Sequence, residues 1–230
     1  MINSKIINQI ILRRDNICRI LEKDWFLDEI NMAVNMITLC LKCGNKILVA
    51  GNGGSCSDSN HLTAEIVGRF KLERCGYPAI SLCSNDSILT AISNDYGYEN
   101  VFSRQIEALG NKDDIFIGIS TSGNSKNIIN AAIEAKKRDM KVIGMYGLNG
   151  KLTEYCDCNI SIPNNSTPII QESHCMIFHI NLLFGYYLHM YVITYLQTSY
   201  LKKKFICMVK HSRKLYVICT TFNGMKRKNV

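Results

Sequence analysis

The chain has no Asp or Glu after Glu172, and no charged residue other than His from 173 to 201. That absence governs how its charge is read. A formal net charge of +8 would ordinarily point to nucleic acid as a partner. Nine of the 27 Lys and Arg lie beyond residue 200, however, which leaves 18 against 19 acids elsewhere, a balance of −1. The basic character belongs to the C-terminal segment, and no nucleic acid is expected to bind the body. The uncharged run is long enough to span a bilayer, with Lys202, Lys203 and Lys204 after it. It also carries His174, His179, Asn181 and His189, which are costly in lipid, and it begins as an ordinary helix would, with Gln171 and Glu172 soon after Pro168. A buried helix is expected there rather than a membrane span.

Other absences narrow the chemistry. The stretch MINSKIINQIILRRDN has no signal-peptide apolar core and no cleavage site. The 11 cysteines are odd in number and irregular in spacing, so reduced thiols and a cytoplasmic location are expected. Cys40 and Cys43 form a CxxC with no second pair, at the end of a helical pattern, and read as structural thiols, as do Cys156 and Cys158. There is no HExxH, which sets aside that class of zinc protease. The glycines are followed by no Gly-Lys-Ser/Thr, and their spacing is not GxGxxG, so neither a P-loop nor a dinucleotide fingerprint is present. Internal repeats and low-complexity linkers are absent too.

What is present alternates. Residues 1–22 and 26–43 read as amphipathic helices, the first with Ile6, Ile7, Ile10, Ile11 and Ile20 on its apolar face. Ile47 to Ala50 reads as a buried strand, followed by a small-residue turn from Gly51 to Ser55 and a helix starting near Ser57 or Asp58. Further strands are expected over 77–83, 114–119, 141–145 and 159–162, with helices over 87–93, 101–109 and 128–137 and a turn at 94–97. The buried face of the 128–137 helix would be Ile128, Ile129, Ala132 and Ile133. Strands alternating with helices predict an α/β sandwich of three layers around a five-stranded parallel sheet. Ligands bind such sheets at the carboxyl ends of the strands, where the Gly51 and Ser120 turns fall.

Two groups of residues carry chemistry. Ser120, Thr121, Ser122 and Ser125, with Gly123 among them, put four hydroxyls and several amides at a helix N-terminus. This suits a phosphate monoester, although a multiply capped helix would use the same residue types. His61 and Glu65, four apart, share a helix face. They read either as half of a metal or acid–base site or as a surface ion pair. Gln171 and His179 place polar groups in the otherwise apolar C-terminal run. His179 alone would pass for a core histidine, and eight residues of helix separate the two by about 12 Å, so His179 joins His61 and Glu65 more easily than Gln171 does.

Taken in order, KILVAGNGGS, His61-x-x-x-Glu65, Ser93-Asn94-Asp95-Tyr96-Gly97, Phe102-Ser103-Arg104, Gly118 to Ser125, and Ile170-Gln171-Glu172 with His179 resemble the sugar-isomerase (SIS) domain family and, within it, the phosphoheptose isomerases. The resemblance covers roughly residues 25–190. It implies a flavodoxin-like fold with N-terminal helices, a domain over 1–190, and a basic extension over 191–230. It implies a homotetramer with sites shared between subunits, and zinc held by His61, Glu65, Gln171 and His179. Sugar phosphate would contact Asn52, Gly53, Gly54, Asn94, Asp95, Ser120, Thr121, Ser122 and Ser125, with Ser55 a further donor and Glu65 and Gln171 beside the sugar. The implied reaction converts sedoheptulose 7-phosphate to a manno-heptose 7-phosphate for lipopolysaccharide or another surface glycan. Isomerisation through an enediol needs a base and an acid, and Glu65 and His179 are assigned those roles. A carboxylate bound to zinc is a poorer base, so the two roles of Glu65 compete. The alternative is a non-catalytic SIS protein that binds a partner such as a replication initiator.

Overall fold

The computed structural model describes residues 2–71 and 73–182. The expected basic extension over 191–230 lies outside them, as does the later part of the uncharged run. Helices α1 (Ile2–Leu21) and α2 (Asp24–Lys42) lead into β1 (Ile47–Gly51) and α3 (Gly54–Val67). They are followed by β2 (Ala79–Ser81), α4 (Asp86–Tyr96), α5 (Ser103–Leu109), β3 (Ile115–Ser120), α6 (Lys126–Lys137), β4 (Lys141–Tyr146) and β5 (Cys158–Ser161). A last helix, α7, occupies 167–182. No described helix is long and apolar enough to cross a membrane.

All strand pairs are parallel, in the order β2-β1-β3-β4-β5. This is the flavodoxin-like order, whose direction reverses between β1 and β3. The central strands are apolar throughout because both faces are covered. Alternate residues divide between two cores. Ile47 and Val49 of β1 face Phe26, Ile30, Leu62, Ile66, Ile177 and Phe178, so α2, α3 and α7 lie on that side. Leu48 and Ala50 face Phe102, Ile106, Ile128 and Ala132, so α5 and α6 lie on the other. Each fully buried large aliphatic side chain contributes about 1.5–3 kcal/mol. Asp114, almost fully buried, closes the bottom of β3: its carboxylate accepts from the backbone N–H groups of Lys46 and Asn111 and pairs with the Lys46 ammonium.

The structure moves several expected boundaries. The second strand shrinks to three residues. Residues 94–96 belong to α4 rather than to a turn. Asn85 caps α4 by accepting from the Ile88 N–H, nothing in Ser93-Asn94-Asp95-Tyr96 breaks the helix, and Gly97 at φ 85° stops it. The buried face of α6 is Asn127, Ile128, Ala131, Ala132 and Ala135, with Ile129 and Ile133 only half-buried. The alanines let α6 lie close to the sheet, where a Cβ on Gly118 would strike Ile128. The isoleucine face of α1 is largely unburied: Ile6 is 54% and Ile10 62% exposed, and only Asn16 and Ile20 are buried. Polar bonds tie α1 down, from Asn16 to Ser173 (3.0 Å) and Asn164 (3.0 Å) and from Arg13 to Glu172 (2.7 Å).

Candidate active site

The sheet's switch point sets the site. β1 and β3 are neighbours, and the chain leaves them to helices on opposite faces, opening a crevice between the two loops. In the first loop Gly53 takes φ 56°, which favours glycine. This turn lets α3 begin at Gly54, earlier than the expected start at Ser57 or Asp58. The amides of Cys56 and Ser57 already bond the Gly53 carbonyl, so neither Ser57 nor Asp58 serves as the cap. Ser55 is buried. Asn52 and Asn127 exchange amide hydrogen bonds, and the Tyr98 hydroxyl donates to Asn52 Oδ1 (2.9 Å).

The second loop decides between a capped helix and an anion site. Ser125, the residue before α6, makes no side-chain cap; its hydroxyl instead lies 3.0 Å from that of buried Ser120. The Ser122 hydroxyl accepts from the Asn124 amide (3.1 Å), and the Thr121 carbonyl accepts from that of Gly147 (3.0 Å). Both α3 and α6 therefore present N-termini without side-chain caps at one sheet edge, an arrangement suited to phosphate. Asn94 and Asp95 are exposed at the end of α4 and bond each other (2.9 Å). No hydrogen bond among the described residues joins them to either loop.

The second half of the site lies between α3 and α7. His61 Nε2 stands 3.5 Å from Glu65 Oε1, and the His61 ring lies 5.1 Å from that of His179. The His179 ring stacks on Phe70 at 5.3 Å and contacts Phe178, so an apolar wall holds it. The Gln171 carboxamide packs against Gly54, so closely that a Cβ there would strike it. Cys175, not singled out in the sequence, stands beside His179, with Sγ 3.8 Å from Nδ1. Helical spacing was the available signal, since residue 175 lies four from both Gln171 and His179. His61, Cys175 and His179 offer ligand atoms within 4.8 Å of one another and can hold a metal ion. Two imidazoles and a thiol suit a borderline-soft ion such as zinc.

Other titratable groups frame the cluster. One oxygen of Asp58 is buried without a partner in the protein; burial pushes this carboxyl up, and His61 pulls it down. Burial also raises the Cys175 thiol, with the Asp58 charge adding to it. His174, fully buried on α7, is a core residue. Burial lowers it to about 4, offset only in part by the Tyr146 backbone, so it is uncharged at neutral pH. All nine cysteines among the described residues are free. Cys40 packs in the core of α2 and donates to the Lys46 carbonyl, while Cys43 is exposed; the CxxC holds no metal-like pair.

Comparison with known proteins agrees with this geometry. A family model described as SIS domain matches residues 15–147. The phosphoheptose isomerase of Aliarcobacter butzleri is 47% identical over 177 residues, covering 76% of this chain and 93% of that protein. That of Helicobacter pylori is 45% identical over 181 residues, covering 78% and 93%. Among solved structures, a phosphoheptose isomerase from Francisella tularensis superposes with a TM-score of 0.77 at 33% identity, covering 80% of this chain and 98% of that one. One from Neisseria gonorrhoeae gives 0.74 at 34% identity, covering 79% and 97%. With the flavodoxin-like order, two uncapped helix ends and the imidazole pair already in place, these matches show that the chain belongs to the phosphoheptose isomerase family of SIS domain proteins.

Proposed function

We propose that the chain is an aldose–ketose isomerase converting sedoheptulose 7-phosphate to D-glycero-D-manno-heptose 7-phosphate, a heptose precursor for lipopolysaccharide or a related surface glycan. The observation that carries this reading is the pair of uncapped helix N-termini at the β1–β3 switch point, one of α6 and one of α3, the helix that also bears His61 and Glu65. Phosphate would bind the amides and hydroxyls of Asn52 to Ser55 and Ser120 to Ser125. Asn94, Asp95 and Gln171 would contact the rest of the substrate. Holding the phosphate orients the far end of the sugar for reaction.

At that end Glu65 takes the proton from C1 of the ketose. The C2 oxygen gains a proton as the enediol forms, with His179 serving as acid. The proton then returns to C2, and the O1 hydroxyl loses its own to give the aldehyde. Each proton transfer of this kind contributes roughly 10²–10⁴-fold. Zinc is the proposed cofactor, with His61, Glu65, Gln171 and His179 the set that the family resemblance implies; bound there, it would polarise the carbonyl. The unburied isoleucine face of α1 supports a homotetramer whose subunits share sites. The proposed location is the cytoplasm.

The test is turnover of sedoheptulose 7-phosphate by the zinc-supplied full chain beside Glu65→Gln and His179→Ala. Loss of at least about 10²-fold in kcat in both variants is expected. Full activity in both would sink the acid–base assignment. Absence of turnover by the folded wild type would favour the partner-binding alternative.

A further inference from the structure

We propose that Tyr98 is a positioning residue for the sugar phosphate: its hydroxyl holds the Asn52 carboxamide so that an N–H, and not an oxygen, is left for the anion between the two loops. This rests on reading those loops as the phosphate site, and it adds what sets the polarity of one wall.

Tyr98 is placed by a break in the chain. Gly97, at φ 85°, ends α4, and one tight helical turn, Tyr98–Asn100, follows it. Val101 and Phe102, both buried, anchor the far end of that turn. The Asn130 side chain on α6 donates to the Glu99 carbonyl (3.0 Å) and docks the turn on that helix. Tyr98 itself is 55% exposed, so core packing does not dictate where its ring stands. Its hydroxyl nevertheless donates to Asn52 Oδ1 at 2.9 Å. Among the described residues, no other hydrogen bond joins residues 86–100 to either loop. Tyr98 is therefore the link between the glycine turn and the segment that bears Asn94 and Asp95.

The Asn52 carboxamide shows what that link does. A carboxamide oxygen accepts two hydrogen bonds, and its nitrogen donates two. Asn52 Oδ1 accepts from Asn127 Nδ2 (2.9 Å) and from the Tyr98 hydroxyl, and Asn52 Nδ2 donates to Asn127 Oδ1 (2.9 Å). Both lone pairs and one N–H are thus committed within the protein, and one N–H of Asn52 is left over. Beside an anion, a leftover N–H attracts and a leftover lone pair repels.

The asparagine pair alone does not select between these. Each carboxamide gives one bond and takes one, so turning both over together restores both bonds with the outward groups exchanged. Tyr98 breaks that symmetry. Its O–H needs an oxygen at 2.9 Å, where the turned-over pair would put the Asn52 nitrogen. Phenylalanine at this position would keep the ring and drop the constraint.

The experiment measures inorganic phosphate binding to the full chain by calorimetry, with KM and kcat for sedoheptulose 7-phosphate, in wild type, Tyr98→Phe, Asn52→Ala and the double variant. Tyr98→Phe should raise both the phosphate dissociation constant and KM about three- to tenfold, the worth of one neutral hydrogen bond, with kcat within about twofold. Because Tyr98 is largely exposed and phenylalanine keeps its ring, the variant should melt within a few degrees of wild type. In the Asn52→Ala background the same substitution should change phosphate binding no further, since Tyr98 acts through Asn52. Unchanged phosphate affinity in Tyr98→Phe, even with lower thermal stability, would overturn the proposal. So would an equal factor in both backgrounds, a loss confined to kcat, or no phosphate bound by wild type. Phosphate binding is read without turnover, which keeps the two readings apart. Coupling of Tyr98 to Asn52 without turnover removes only the isomerase; turnover without that coupling removes only the role of Tyr98.

Discussion

Asn52 and Asn127 face each other across the switch point and exchange two amide hydrogen bonds, each 2.9 Å. Asn127 is buried in the first turn of α6, and Asn52 belongs to the glycine turn after β1. The pair fixes the distance between the two loops proposed to bind the phosphate. Asn127→Ala removes a carbonyl and an amide together and leaves the Asn52 Nδ2 without its acceptor, while the Asn52 Oδ1 keeps the Tyr98 hydroxyl. The expected cost is about 1–3 kcal/mol of stability, with KM for the sugar phosphate rising more than kcat falls. Thermal unfolding and steady-state kinetics check this. An unchanged KM would mean that the loops hold their spacing without the pair.

Two glycines at the site should respond differently to alanine. Gly123 sits at φ +64°, and its added Cβ would meet the backbone of Gly150. The left-handed conformation alone costs about 1–2 kcal/mol, and neither backbone can yield, so Gly123→Ala should unfold several degrees below wild type. At Gly54 the added Cβ meets only the end of the Gln171 side chain, which can swing away. Alanine is also the better helix former, although at the first residue of α3 it gains less than in a helix interior. Gly54→Ala should therefore keep near-native stability while losing turnover as Gln171 is displaced. Equal losses of stability in the two variants would contradict the structure.

Asp157 makes the fold acid-sensitive in a defined window. Burial alone would raise its carboxyl, but the Lys136 ammonium (2.8 Å), the Val142 N–H (2.8 Å) and the charge of Lys141 more than offset this and hold it below the ordinary range. An unfolded Asp titrates near about 3.9. As pH falls below that value the unfolded chain takes up a proton that the folded chain resists, so stability drops. Asp157→Asn should be less stable than wild type at pH 7, by about 1 kcal/mol, and the gap should narrow below about pH 4. Urea unfolding at a series of pH values measures it; a gap that stays constant with pH would show that Asp157 does not contribute in this way.

The exposed isoleucines of α1 bear on assembly. If they bury against a second copy, Ile6→Glu with Ile10→Glu should shift the native mass towards smaller species and lower turnover, because sites shared between subunits come apart. Light scattering after gel filtration reads the mass. An unchanged tetramer would place the interface elsewhere, and a wild type that is already monomeric would remove the shared-site reading.

Much of this protein was legible without coordinates. The apolar runs of β1 and β3 read as strands buried on both faces because no polar residue interrupts them. His61 and Glu65 were expected on one face because helical periodicity puts them there. The order of the glycine turn, the serine loop and the C-terminal polar residues was enough to suggest the family. Local sequence misplaced the start of α3, because the turn is made by the backbone conformation of Gly53 rather than by a polar cap. It also favoured Ile129 and Ile133 over the alanines of α6, because close approach to Gly118 rewards small side chains and not hydrophobicity alone. Sequence order therefore determined the parallel sheet and the chemical types at its edge. Tertiary structure decided which of those residues meet: it packs Gln171 on Gly54, sets the His179 ring beside that of His61, and locks Asn52 to Asn127. Such meetings depend on how segments 75 or more residues apart pack against each other, a relation on which the spacing within either segment is silent.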